Sequence, residues 1–173
     1  RVEMVLPRDR RAAVLAALVA AHPYEEPPYY VCVLAEPSGS TGHGRVGELP
    51  EPVPLAALAA RLAERLPAVP PGVRMVGDPA RLVRSVALHG GTGDDLRSEA
   101  ARAGADVFVA GGFAPGAALA AREGEGPALV DAGTWAVVRP WLGAAAARLK
   151  RDLAGAVSVR VSDLVTDPWT VPG

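Results

Sequence analysis

Three short apolar runs constrain this chain more than anything else in it: "VALHG" (86–90), "VFVAG" (107–111) and "ALVDA" (128–132). They are rich in valine and alanine and show no polar alternation, the pattern of strands buried on both faces. Between and after them lie stretches with room for helices of ten to fifteen residues. Strands alternating with helices in this way predict β-α-β crossovers. The expected fold class is therefore α/β: a mainly parallel sheet with helices on both faces.

The flanking sequence fills in the elements. "LAALAARLAERL" places Leu55, Leu58, Leu62 and Leu66 on one helical face with Arg61, Glu64 and Arg65 opposite. "VRMVG" and "LVRSVALHG" read as strands. "DDLRSEAARAG" reads as a helix opened by Asp94-Asp95 and closed by Gly104. "APGAALAAREG" is a short helix and "PWLGAAAARLKRDLAG" a longer one starting at Pro140. "AVSVRVSDL" alternates Val157, Val159 and Val161 as a last strand.

Upstream, "RVEMVLP" and "PPYYVCVLA" read as two strands around a helix that carries Val14, Leu15, Leu18 and Val19 on one stripe and stops at His22, before Pro23. That is a small amino-terminal β-α-β unit. "EPSGSTGHGRVGELPEPVP" shows no hydrophobic period and reads as a linker or long loop. The expected organisation is a first unit at 1–36, a Gly/Pro linker at 37–53 and an α/β lobe at 54–173. The chain opens on "RVEMVL" with no initiator Met, which reads as a fragment, a processed product or a chain whose first part is missing.

Composition excludes several classes. The 173 residues carry 18 Lys+Arg against 19 Asp+Glu, for a formal net charge of −1 with the signs interspersed, so no nucleic-acid partner is expected. No apolar run reaches the length of a membrane span, and no secretory pattern opens the chain; a cytoplasmic protein is the expectation. The single cysteine, Cys32, excludes an internal disulfide and a Cys-rich zinc site, and is expected as a small buried hydrophobe.

In open α/β sheets ligands bind beyond the carboxyl ends of the strands. Three glycine-bearing junctions qualify: "HGGTGDD" (89–95), "AGGFAPG" (110–116) and "DAGTW" (131–135). For the first, two readings stand: an anion cradle on free amides, or a tight turn capped by Asp94 and Asp95. His89 beside it is either a general base or a packed histidine. "AHPYEEPPYY" is the densest polar-aromatic patch, offering His22, Tyr24, Glu25 and Glu26 as acid/base groups or, alternatively, a helix stop and solvated strand entry. His43 sits in a Gly-rich loop with no partner legible in the sequence. No HExxH, CxxC, Walker loop or GxSxG is present. "VTDPWT" reads as a turn.

Taken in order, "RVEMVLP…AHPYEEPPYYV", "GRVGELPEPVPLAALAARL", "VRMVGDP", "VALHGGTGDDL", "GADVFVAGG", "DAGTW" and "VTDPW" resemble the Nif-three-like family. Its members are also called dinuclear-metal-centre hexameric proteins or GTP cyclohydrolase 1 type 2 homologues. The first unit is similar to the second half of a PII-like (CutA-like) insertion of ferredoxin type, and residues from about 44 onward to the family's carboxy-terminal lobe. The resemblance implies a two-metal site between two lobes. The amino-terminal lobe would supply a His-His pair and an aspartate, and the carboxy-terminal lobe a His-x-x-x-Glu after the "DAG" turn. Here Thr134 stands at the histidine position and Val138 at the glutamate, while Gly112 and Gly116 replace an aspartate and a histidine. Valine cannot ligate, and a threonine hydroxyl is a poor sole ligand for a transition metal.

The leading expectation is thus a metal-independent member, without cofactor, that binds or acts on a small organic molecule, as a repurposed hydrolase, isomerase or cyclase. His22, Tyr24, Glu25, His89, Asp131 and Thr134 are its candidate catalytic residues; Gly90, Gly91, Thr92, Gly112, Phe113, Gly133 and Trp135 are its candidate binding residues. One alternative is a non-catalytic oligomeric module, since half a PII-like unit leaves a strand edge needing cover; a homo-oligomer is expected either way. The other is a GTP cyclohydrolase-like metal hydrolase with ligands from another chain.

Overall fold

The computed structural model describes residues 1–34, 42–70 and 72–170. It divides into two compact units, 1–39 and 40–173.

In the second unit, β1 (Gly44–Pro54), β2 (Arg74–Val76), β3 (Leu82–His89), β4 (Val107–Ala110) and β5 (Ala128–Asp131) form one sheet in the order β1-β3-β4-β5-β2. The central three strands are parallel, as their apolar runs require, and each edge strand runs antiparallel to its neighbour. Alternation in the central strands splits the core in two. Val83, Val86, Val107, Val109, Ala128 and Val130 pack with Leu55 and Leu58 of α2 (Leu55–Arg65). On the other face, Ala87, Phe108, Ala110 and Leu129 pack with Ala100 of α3 (Arg97–Arg102) and Ala121 of α4 (Pro115–Arg122). The period-two side-chain direction of a strand is what makes one sheet serve both layers. α5 (Thr134–Asp152) follows β5 and buries Ala136 and Ala146.

Local chemistry sets the boundaries. The first amides of α2 donate to carbonyls of the 79–81 loop, Leu55 N to Arg81 O at 2.9 Å and Ala56 N to Pro79 O at 3.0 Å. Leu66, which precedes Pro67, leaves the helix in an extended conformation (φ −86°, ψ 152°). Gly104 (φ +72°) ends the α3 segment and Gly124 (φ +91°) the α4 segment in the left-handed region.

Three expectations are corrected here. Most of the described part of the expected linker is strand: Gly44–Glu48 pair with Ser85–His89, and Val53 and Pro54 with Val83 and Leu82, across an irregularity at 49–52. Prolines 50, 52 and 54 hide the period, yet an edge strand tolerates them because its outer amides need no ladder partner. α5 begins at Thr134 and runs through Pro140, rather than starting there; Gly133 (φ +78°) turns the chain into the helix, and Pro140 costs it one internal hydrogen bond. Residues 156–164, despite alternating valines, form no strand, since the segment pairs with none of the five sheet strands. The 167–169 turn forms as expected, Trp169 N donating to Asp167 Oδ1 at 3.2 Å.

The first unit holds one helix, α1 (Arg11–Ala21), after a short 3-10 turn at Arg8–Arg10. His22 is extended ahead of Pro23, as expected. The flanking segments expected as strands form no ladder in their described residues, so the β-α-β expectation is met only by its helix. In a split β-α-β arrangement the two strands are not a self-sufficient pair, and two strands alone are marginal in water. Cys32 is exposed rather than buried for the same reason: the described residues of the first unit form no sheet face to cover it.

Asp106 ties the amino-terminal ends of the central strands together. Its Oδ2 accepts from the amides of Arg84 (2.8 Å) and Ser85 (2.9 Å), its own amide donates to Ser85 O, and its carbonyl accepts from Ala128 N. The Arg84 and Ser85 amides hold its carboxyl below the ordinary carboxylate range, against a smaller opposing effect of burial and with help from the charge of Arg81. A carboxyl with a depressed folded pKa stabilises above the unfolded value of about 3.9, and that stabilisation is lost as pH falls through the folded value. Asp106→Ala is expected to cost about 1–3 kcal/mol at neutral pH by leaving both amides unpaired. In Asp106→Asn the acid-side fall in stability should be shallower than in the parent. Urea unfolding as a function of pH checks both, and identical acid limbs would remove the assignment.

Candidate functional site

The three glycine junctions meet at the carboxyl ends of β3, β4 and β5, and they are fastened to one another. Gly111 N donates to Gly91 O at 2.8 Å and Gly93 N to Gly112 O at 2.9 Å, joining the first turn to the second. Thr134 Oγ1 donates to Gly111 O at 2.8 Å, joining the second to the start of α5. Ala132 N donates to Ala110 O, extending the β4–β5 pairing by one bond.

These contacts explain several glycines. A Cβ on Gly111 would lie 2.6 Å from Thr134 Cα, and one on Gly93 would lie 2.3 Å from the Phe113 ring. Gly133 combines a φ of +78° with a would-be Cβ 2.7 Å from Val69 Cγ2. By contrast, a Cβ at Gly90 or Gly116 would meet nothing within 4 Å, and one at Gly112 only Thr92 Cγ2 at 3.8 Å. The rim of the site is therefore open at 90, 112 and 116, and packed at 93, 111 and 133.

The polar groups are largely engaged. Asp131 is paired with the Arg74 guanidinium across the β2–β5 register, and its Oδ1 accepts from Gly133 N at 3.1 Å. His89 Nδ1 lies 2.6 Å from His43 O, and its Nε2 faces Gly91. Asp94 and Asp95 make no side-chain cap bond to the start of their own helical segment; Asp94 instead accepts from Ala114 N of the second turn with both oxygens, at 3.0 and 3.2 Å. Phe113 stacks edge-on against Phe108, and Trp135 Nε1 donates to Thr166 Oγ1 at 3.2 Å. Thr92 is exposed.

His22, Tyr24 and Glu25 belong to the first unit. There the Tyr24 amide donates to His22 Nδ1 at 3.1 Å, the two rings meet edge-on at 5.1 Å, and Glu25 is exposed. The second unit thus gathers ten of the thirteen candidate positions, and three lie in the first. Arg74 was not legible as a site residue: it lies 57 residues from Asp131, and only strand pairing brings them together.

The donor set does not fit a metal pair. Thr134 uses its proton on a backbone carbonyl, Val138 has no donor atom, and positions 112 and 116 are glycine. Among the described residues no three His, Cys, Asp or Glu side chains cluster closely enough to hold an ion.

The profile of the Duf34/NIF3 (NGG1p interacting factor 3) family matches residues 9–168. The chain belongs to this family. Over 171 residues, 99% of the chain, it is 45% identical to a GTP cyclohydrolase 1 type 2 homolog of Mycobacterium leprae and 42% identical to one of Mycobacterium tuberculosis. It spans 44% and 45% of those proteins, less than half their length. Among solved structures it is similar to a Bacillus cereus protein related to NIF3, with a TM-score of 0.67 and 30% identity over 96% of this chain and 46% of that one. The mixed α/β architecture of this NIF3-family lobe is shared with that neighbour. No helix among the described residues is long and apolar enough to cross a membrane.

Proposed function

We propose that this NIF3-family lobe works without a metal of its own and receives a small organic molecule at the carboxyl ends of β3, β4 and β5. The observation that carries the reading is the hydrogen bond from Thr134 Oγ1 to Gly111 O. Where the resemblance implies a metal-binding imidazole, this chain places a strut that locks the turns together. The open rim at Gly90, Gly112 and Gly116 supports the second half of the reading, since glycine there leaves room beside Thr92. Asp131 and His89 end β5 and β3 beside the three turns, and an acid/base step is assigned to them. The same reading places the protein in the cytoplasm, where a single cysteine needs no oxidising surroundings.

Elemental analysis of the purified chain is expected to find no stoichiometric transition metal. Thermal-shift screening in EDTA with nucleotides, sugars and organic acids is expected to raise the Tm with at least one class. Gly112→Leu should abolish that shift while leaving the ligand-free Tm close to the parent value. Stoichiometric metal retained through purification, or no ligand shift in any class, would overturn the reading.

A second reading, a non-catalytic module in a homo-oligomer, is favoured by the first unit, where Val2, Val5, Tyr30 and Val33 are at least three-quarters exposed on segments without ladder partners. Light scattering on the purified chain is expected to report an assembly larger than a monomer; a monomer at all concentrations would remove this reading.

A further inference from the structure

A groove of about 570 Å³ runs between α3 and α4, on the sheet face opposite α2. That volume lies in the range of small-molecule sites. On one side stand Arg97 and Ser98; on the other are Ala114 and Ala117; Asp94 and Glu125 border it as well. The Arg97 side chain is only 22% exposed, yet its hydrogen bonding is incomplete. Nη2 donates to Glu125 O at 2.9 Å and lies 3.9 Å from the Glu125 carboxylate, while Nε and Nη1 have no hydrogen-bond partner among the described residues. Neither nitrogen is both buried and unsatisfied, so each reaches solvent on a side chain that lines the groove. The Ser98 hydroxyl is likewise uncommitted.

The walls hold this arrangement open. Asp94 is anchored by the Ala114 amide on both oxygens, so its charge is fixed in place while lone pairs remain for a further donor. Gly126 sits at φ +85°, and a Cβ there would reach within 3.9 Å of both Ala101 Cβ and Arg97 Nε. Those are ordinary contact distances, so it is the left-handed backbone that favours glycine at 126. The apolar lining is alanine throughout.

One cation and two carboxylates border the groove. A simple anion would satisfy Arg97 but meet Asp94 and Glu125; a simple cation would do the reverse. We propose that the groove binds a small zwitterion of the α-amino-acid class. Its carboxylate lies on Arg97 and Ser98, its ammonium group toward Asp94 and Glu125, and its short side chain among the alanines. The groove borders the glycine turns through Asp94 and Ala114 but opens between the two helices, and neither Gly90 nor Gly112 lines it.

Isothermal titration of the purified chain with glycine, L-alanine and L-serine tests it, with acetate and methylammonium as half-ligands. At least one amino acid is expected to bind while neither half-ligand does so measurably. Arg97→Gln should weaken binding by about tenfold or more, the effect of losing one charge-assisted contact. Ala101→Phe, at an exposed position, should block the groove without moving the Tm, and Gly112→Leu on the rim should leave amino-acid binding intact. The proposal is overturned if none of the three amino acids binds, if acetate alone binds as well, if affinity survives both Arg97→Gln and Ala101→Phe, or if Gly112→Leu abolishes it.

Discussion

Phe108→Ala is expected to destabilise the second unit by about 3–5 kcal/mol, the range for removing a buried aromatic. Phe108 is 2% exposed in the middle of β4 and is among the largest fully packed side chains in the core. Its neighbours on that face are mostly Ala87, Ala100, Ala105, Ala110 and Ala121. Alanines have no rotamers with which to collapse into a void, so the cavity persists and its cost adds to the lost transfer energy. The edge-on contact with Phe113, with centroids 5.5 Å apart, disappears as well. Domains of this kind are stable by only about 5–15 kcal/mol in all. Urea unfolding followed by far-UV circular dichroism checks the figure; a loss below about 1.5 kcal/mol, the range of a conservative swap, would mean that this face repacks.

Gly111→Ala is expected to have the largest effect at the candidate site. The new Cβ would stand 2.6 Å from Thr134 Cα and 3.0 Å from both Thr134 N and Oγ1. These atoms are backbone or held close to it, so the amino-terminal end of α5 must move. Overpacking of this kind costs about 1–3 kcal/mol, and loss of the Thr134–Gly111 hydrogen bond adds about 1 more. Trp135, the next residue along, should report the movement as a shift in its fluorescence. Gly116→Ala is the matched control: no atom lies within 4 Å of its Cβ, and it sits inside α4. There alanine is expected to be neutral or to stabilise by about 0.4–1 kcal/mol. Equal effects at 111 and 116 would show that the three turns are not mechanically linked.

How legible the molecule was in its sequence depends on the range of the interaction concerned. β3, β4, β5, α2 and the ends of α3 and α4 could be read because periodicity and Gly or Pro punctuation act over a few residues. The family resemblance was legible on the same local terms. β1 was missed because its prolines mask the alternation, and the early start of α5 because Pro140 looks like a first helical position. The valines of 156–164 alternate as a strand does, but alternation creates no partner.

The sequence by itself therefore determined the class of fold and the parallel centre of the sheet, since both follow from side-chain type and short spacing. The tertiary structure alone decided that Thr134 braces Gly111, that Arg74 meets Asp131 across 57 residues, and that Arg97 opens onto a groove beside Gly126. Those facts depend on which strand edges and helix faces come together, and hydrogen-bond geometry between distant segments exists only once the chain has closed on itself.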